Sequence, residues 1–148
     1  MDVCLRDSIA PAKRLGKKGL CVVVICTETC EAKQISHLVS EVNSGYLVTY
    51  RRAEDLMRSA PAGRVAMVIL ANDSDVPMLA RTLRWLRHRW PHCPVAVVGD
   101  LGCGKHEMTA REGGAFFLTR PVALEEWSSL LDHVLGAVRR EVVSRELL

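Results

Sequence analysis

The sequence predicts an α/β domain of three layers, a doubly wound parallel sheet covered by helices on both faces. Three observations carry this. The runs Leu20–Cys26, Val65–Ala71 and Pro94–Val98 are apolar, largely β-branched and too short for helices, as strands buried on both faces are. Between them lie stretches with apolar residues at helical spacing. Strand and helix alternate five times, which calls for right-handed crossovers and one parallel sheet.

The elements follow in order. Leu20–Cys26 (LCVVVIC) is the first strand, and Thr27-Glu28-Thr29 is a turn suited to capping the next helix. Residues 31–42 carry Ala32, Ile35, Leu38, Val39 and Val42 on one helical face, stopped by Asn43-Ser44-Gly45 with Gly45 as a left-handed cap. Tyr46–Tyr50 is a second strand, and Ala53–Ser59 a short helix ended by Pro61 and Gly63. Val65–Ala71 is the third strand, releasing the chain into Asn72-Asp73-Ser74-Asp75. Pro77 suits the first turn of a helix whose Val76, Leu79, Leu83, Leu86 and Trp90 keep register as far as Pro91. Pro94–Val98 is the fourth strand, residues 105–112 a weak helix ending at Gly113-Gly114, and Phe116–Leu118 a short fifth strand. A last helix starts near Leu124 with Trp127, Leu130, Leu131, Val134, Leu135 and Val138 on one face.

A chain of 148 residues holds one domain with a substantial core. At 49% apolar residues it is a globular chain rather than a disordered one. Residues 1–19 are read as a flexible basic arm, with Lys13, Arg14, Lys17 and Lys18 and no apolar segment of the secretory kind. Residues 20–140 form the domain, and residues 141–148 a helix extension or tail, a frayed end or a dimer contact. A cytoplasmic location without membrane contact is expected. The six cysteines form no C-x-x-C pair, and Cys21 and Cys26 lie within a strand, so reduced buried thiols are expected rather than disulfides or zinc.

Three motifs offer chemistry. Ala80–His92 carries Arg81, Arg84, Arg87 and Arg89 with Trp85 and Trp90 interleaved, a combination that single-stranded nucleic acid favours. The plainer reading is a core stripe of Leu79, Leu83, Leu86 and Trp90 with the arginines solvated opposite. Trp85, at the edge of that stripe, fits a partner-facing role. The run Gly99–Lys105 matches G-x-x-x-x-G-K, but His106 stands where a phosphate loop needs Ser or Thr for Mg²⁺. The histidines 37, 88, 92, 106 and 133 show no metal-binding spacing, and no G-x-S-x-G elbow occurs.

The patch Gly113–Leu135 (GGAFFLTRPVALEEWSSLLDHVL), with Gly113, Phe117, Thr119 and Pro121 in register, and the strand-and-switch segment Pro94–Asp100 resemble a response-regulator receiver domain. The resemblance covers residues 20–138. It implies the CheY-like, flavodoxin-like sheet order 2-1-3-4-5 and a cis Arg120–Pro121 bond. It also implies a pocket at the strand ends: an acidic pair after strand 1 holding Mg²⁺, an aspartate nucleophile ending strand 3, a hydroxyl after strand 4 and a lysine after strand 5.

Here the pocket departs from that pattern. Ile25-Cys26-Thr27-Glu28 offers at most one acid, Gly99 holds the hydroxyl position, and Arg120 holds the lysine position. Counting back from Pro77 makes Asp73 the nucleophile, whereas counting along the strand from Val65 puts Leu70 or Ala71 there. Asp73 and Asp75 also suit turn and cap chemistry.

The resemblance therefore implies an atypical single-domain receiver in two-component phosphorelay signalling. Its pocket of Asp73, Glu28, Gly99 and Arg120 is degraded, and Phe117, Pro121 and Trp85 belong to its switch or partner surface. No catalytic residue, enzymatic activity, metal or cofactor is expected, and Mg²⁺ only if the pocket is retained. A histidine kinase or another signalling protein is the expected partner, with a homodimer as a further arrangement; nucleic acid is disfavoured. The alternatives are a receiver still phosphorylated on Asp73 and a nucleic-acid-binding module using Ala80–His92.

Overall fold

The computed structural model describes residues 20–27, 29–40, 45–71 and 73–134. Five strands alternate with five helices: β1 (Leu20–Cys26), α1 (Thr29–Ser40), β2 (Gly45–Tyr50), α2 (Ala53–Arg58), β3 (Val65–Ala71), α3 (Val76–Arg89), β4 (Val95–Gly99), α4 (Gly104–Glu112), β5 (Phe116–Thr119) and α5 (residues 124–134). The strands form one parallel sheet in the order β2-β1-β3-β4-β5, the expected doubly wound order. The basic arm 1–19, the helix stop at Asn43-Ser44, Leu135, Val138 and the extension 141–148 lie outside the described residues.

The pleat sorts the core into two halves. Val22, Val24 and Cys26 of β1, Ile69 and Ala71 of β3, and Ala96 and Val98 of β4 face α1 and α5, where they meet Ile35, Val39, Trp127, Leu131 and Val134. Cys21, Val23, Ile25, Val68, Leu70, Val95 and Val97 face the other way, onto Leu56 of α2, Leu79, Leu83 and Leu86 of α3, and Ala110 of α4. Every residue of β1 is buried, which is why that strand has no polar alternation.

Several boundaries differ from the sequence expectation for identifiable reasons. Gly45 opens β2 rather than capping α1, and its partner is Leu20. β4 begins at Val95, because Pro94 has no N–H to give and contributes only its carbonyl, which accepts from Val68 N at 3.0 Å. β5 runs on to Thr119, paired with Gly99. At the start of α3, Asp75 is the cap: its carboxylate accepts from Met78 N at 2.8 Å, with Pro77 in the first turn.

Arg87 is not one of the solvated arginines. Its guanidinium turns inward and donates to the carbonyls of Cys93 (3.2 Å), Gly113 (3.1 Å) and Gly114 (2.7 Å). The end of α3 is thereby tied to the start of β4 and to the α4–β5 turn. That turn passes through Gly114 at φ +76°, a conformation side chains rarely adopt.

Candidate functional site at the carboxyl edge of the sheet

In open α/β sheets ligands bind where the strands end. Here parallel pairing brings Cys26 opposite Ala71 and Gly99 opposite Thr119 at that edge. Ala71 is therefore the tip of β3. It is fully buried and belongs to the apolar cluster around Trp127. The count from Val65 ends on Ala71, and Asp73, reached by counting back from Pro77, lies two positions further on.

Arg120, directly after β5, ties the other tips to this one. Its Nη2 donates to the Ala71 carbonyl at 2.5 Å, its Nη1 lies 3.5 Å from Asp100 Oδ1, and its backbone N–H donates to the Gly99 carbonyl at 2.8 Å. The side chain is 20% exposed while Asp100 is 67% exposed, so the link to Ala71 is the more sheltered of the two. Pairing with Asp100 is a single, long and solvated contact rather than the two-pronged clamp that a guanidinium can make. The Arg120–Pro121 bond is cis.

Gly99 and Phe117 fit together. A β-carbon on residue 99 would stand 2.7 Å from Phe117 Cζ, so the ring occupies the space that any larger side chain would need. Phe117 packs onto the α3-side core, whereas Pro121 is exposed.

Asp73 is exposed, two positions beyond the tip, with no hydrogen-bond or ion-pair partner among the described residues. Glu28 lies outside the described residues. Trp85 is half-buried against the core beneath α3 and meets Trp90 edge-on, centroids 5.6 Å apart. The structure thus brings Gly99, Phe117 and Arg120 into contact, whereas among the described residues Asp73 makes no hydrogen bond or ion pair with them.

Two contacts escaped the sequence reading. One is Asp100 with Arg120: both follow adjacent strands of one parallel sheet, so their meeting at one edge was there to be inferred. The other is His106, whose Nε2 lies 2.8 Å from the Ser74 carbonyl. A carbonyl only accepts, so this nitrogen carries the proton, and the β3–α3 loop is fastened to α4. No sequence pattern signals that contact.

Mg²⁺ needs hard oxygen donors, carboxylates above all. At the described strand ends Cys26, Thr27 and Ala71 bring no carboxylate, Asp100 brings one that lies beside Arg120, and the Ala71 carbonyl already accepts from that cation. Among the described residues no three His, Cys, Asp or Glu side chains converge as a metal site.

No family model matches the chain, and no curated protein matches it. Solved structures do. A response regulator receiver protein from Pseudoalteromonas atlantica superposes with a TM-score of 0.65 at 16% identity, over 80% of this chain and 98% of that one. The fold is that of a response-regulator receiver domain. The chemotaxis response regulator CheY4 of Vibrio cholerae gives 0.65 at 14% identity, covering 78% of this chain and 98% of its own. The signal receiver domain of a signal transduction histidine kinase from Syntrophus aciditrophicus gives 0.63 at 21%, covering 81% and 92%. At these identities the likeness concerns the receiver fold alone. No helix among the described residues is long and apolar enough to cross a membrane.

Proposed function

We propose that this chain is a pseudo-receiver of two-component signalling, acting by binding a signalling protein rather than by accepting a phosphoryl group. The observation that carries the reading is the tip of β3. It ends in Ala71, which has no nucleophilic oxygen, and the Ala71 carbonyl accepts from Arg120. Phosphoryl transfer depends on a positioned nucleophile and on cations free to meet the growing charge. Here the cation found at the tips among the described residues, Arg120, is engaged by Ala71 and Asp100.

A surface for the partner is available on α4, β5 and the start of α5. Leu101, Met108, Phe116 and Leu124 are 87%, 64%, 46% and 53% exposed, and they lie on or next to α4, β5 and the start of α5. Exposed apolar side chains drawn from consecutive elements are what a binding face requires. A histidine kinase, another signalling protein or a second copy of the chain are the partners this face would serve.

The test is incubation with acetyl phosphate, or with beryllofluoride, in the presence of Mg²⁺. The expected result is an unchanged intact mass and unchanged tryptophan fluorescence. An adduct lost in Asp73→Asn would overturn the proposal and favour a receiver that still uses Asp73.

A further inference from the structure

The outer face of α3 is basic and unanswered. Between Val76 and Arg89 there are four arginines and a histidine and no acidic residue. Arg87 is spent internally, but Arg81, Arg84, His88 and Arg89 are exposed, and so is His92 just beyond. Among the described residues no carboxylate pairs with Arg81, Arg84 or Arg89. On neighbouring α2, the carboxylate of Asp55 lies beside Arg52 instead, at 3.9 Å.

The type of ligand follows from what the tryptophans do. Single-stranded nucleic acid needs open aromatic faces on which bases stack. Trp85 and Trp90 both pack against the core and meet edge-on at 87°, and the Arg89 guanidinium lies over the Trp90 ring at 5.3 Å. Trp90 thus carries Arg89 on its ring and Trp85 meets Trp90 edge-on, so neither indole stands open as a stacking platform. What remains is a row of forked cations suited to carboxylates. Arg81, Arg84 and His88 follow one another at steps of about 4.5 and 6 Å along the helix axis, the spacing of acids three and four residues apart on another helix. We propose that this face docks an acidic helical segment of a partner protein. The proposal extends the protein-binding reading to a second surface and does not depend on the state of the pocket, so the phosphorylation test and the one below fail separately.

The experiment measures fluorescence anisotropy on the full chain at low salt, with three labelled probes. These are a helical peptide with glutamates at three- and four-residue spacing, its glutamine counterpart, and an oligothymidine. The glutamate peptide alone should bind, more weakly as salt rises. Arg81→Glu with Arg84→Glu should weaken it about tenfold or more. The charge-matched pair Lys33→Glu with Arg64→Glu, exposed but off α3, should leave it within about twofold. If the reversed pair fails to fold by circular dichroism, Arg81→Gln with Arg84→Gln serves in its place. Absence of binding, or equal loss in both pairs, overturns the proposal. Tighter binding of oligothymidine with tryptophan quenching overturns it in favour of nucleic acid.

Discussion

The guanidinium of Arg120 donates to the main-chain carbonyl of Ala71, so the cation that follows β5 is bound to the tip of β3. A carbonyl is a weaker partner than a carboxylate, but Ala71 is fully buried, where a charge-assisted donor counts for more. The same side chain reaches Asp100 on the β4–α4 loop, and its own N–H holds Gly99. Three strand tips are thus fastened by one residue.

Arg120→Ala should therefore cost about 1–3 kcal/mol, with the Ala71 contact outweighing the Asp100 one, because the Asp100 partner is largely solvated. Asp100→Ala should cost less than about 1 kcal/mol. Arg120→Lys should recover only part of the loss, since one ammonium lacks the fork that reaches both partners. Urea unfolding of the three variants checks the order.

Gly99 and Phe117 should be coupled. The 2.7 Å approach leaves no room for a β-carbon, so Gly99→Ala must displace the ring or the strand, at about 1–3 kcal/mol. In a Phe117→Leu background the far end of the ring is gone, and the same substitution should cost markedly less. A double-mutant cycle by chemical denaturation measures the difference, and additive costs would show that the contact is not the constraint.

Arg87→Ala should be among the more damaging substitutions on α3. Three carbonyls, those of Cys93, Gly113 and Gly114, lose a charged donor at once, a loss of about 2–4 kcal/mol. Exposed Arg84 should lose less than about 0.5 kcal/mol on the same change. Comparing the two unfolding midpoints separates the anchoring arginine from its solvent-facing neighbour.

The parts of this fold that are legible in the sequence are those decided locally. Leu20–Cys26 and Val65–Ala71 begin and end where their apolar runs do, because burial on both faces leaves no room for a polar residue. The site is less legible because it is assembled from loop lengths. Asp73 attracts attention by its distance from Pro77, yet the strand ends at Ala71 and Asp75 takes the helix cap, leaving Asp73 on the linking loop. Arg87 reaches carbonyls 26 and 27 residues downstream, and only the packed positions of α3 and α4 make that reach possible. Nothing in its own helix distinguishes it from Arg84.

The thiols give a pH dependence whose sign can be worked out. Burial pushes Cys93 up to about 12, against a smaller opposing pull from Arg87, and pushes Cys21 up to about 11, from an ordinary 9.0. Burial likewise raises Tyr50 from 10.0 to about 12, with a further push from Cys21. Each group is held neutral in the folded chain more firmly than in the unfolded one. Below pH 9.0 both states bind the thiol protons, and stability is unaffected. Above it the unfolded chain releases them first, so stability should fall as pH climbs from 9 toward 12, the range between the ordinary and the raised values. Urea midpoints taken across this range should decline, and Cys21→Ala with Cys93→Ala should flatten the decline. At neutral pH the same burial should keep Cys21 and Cys93 from alkylation in the folded chain, while half-exposed Cys103 reacts before either of them, as peptide mapping after iodoacetamide would show. Early labelling of Cys93 would mean that the end of α3 opens despite Arg87, and the anchoring role given to that residue would have to be abandoned.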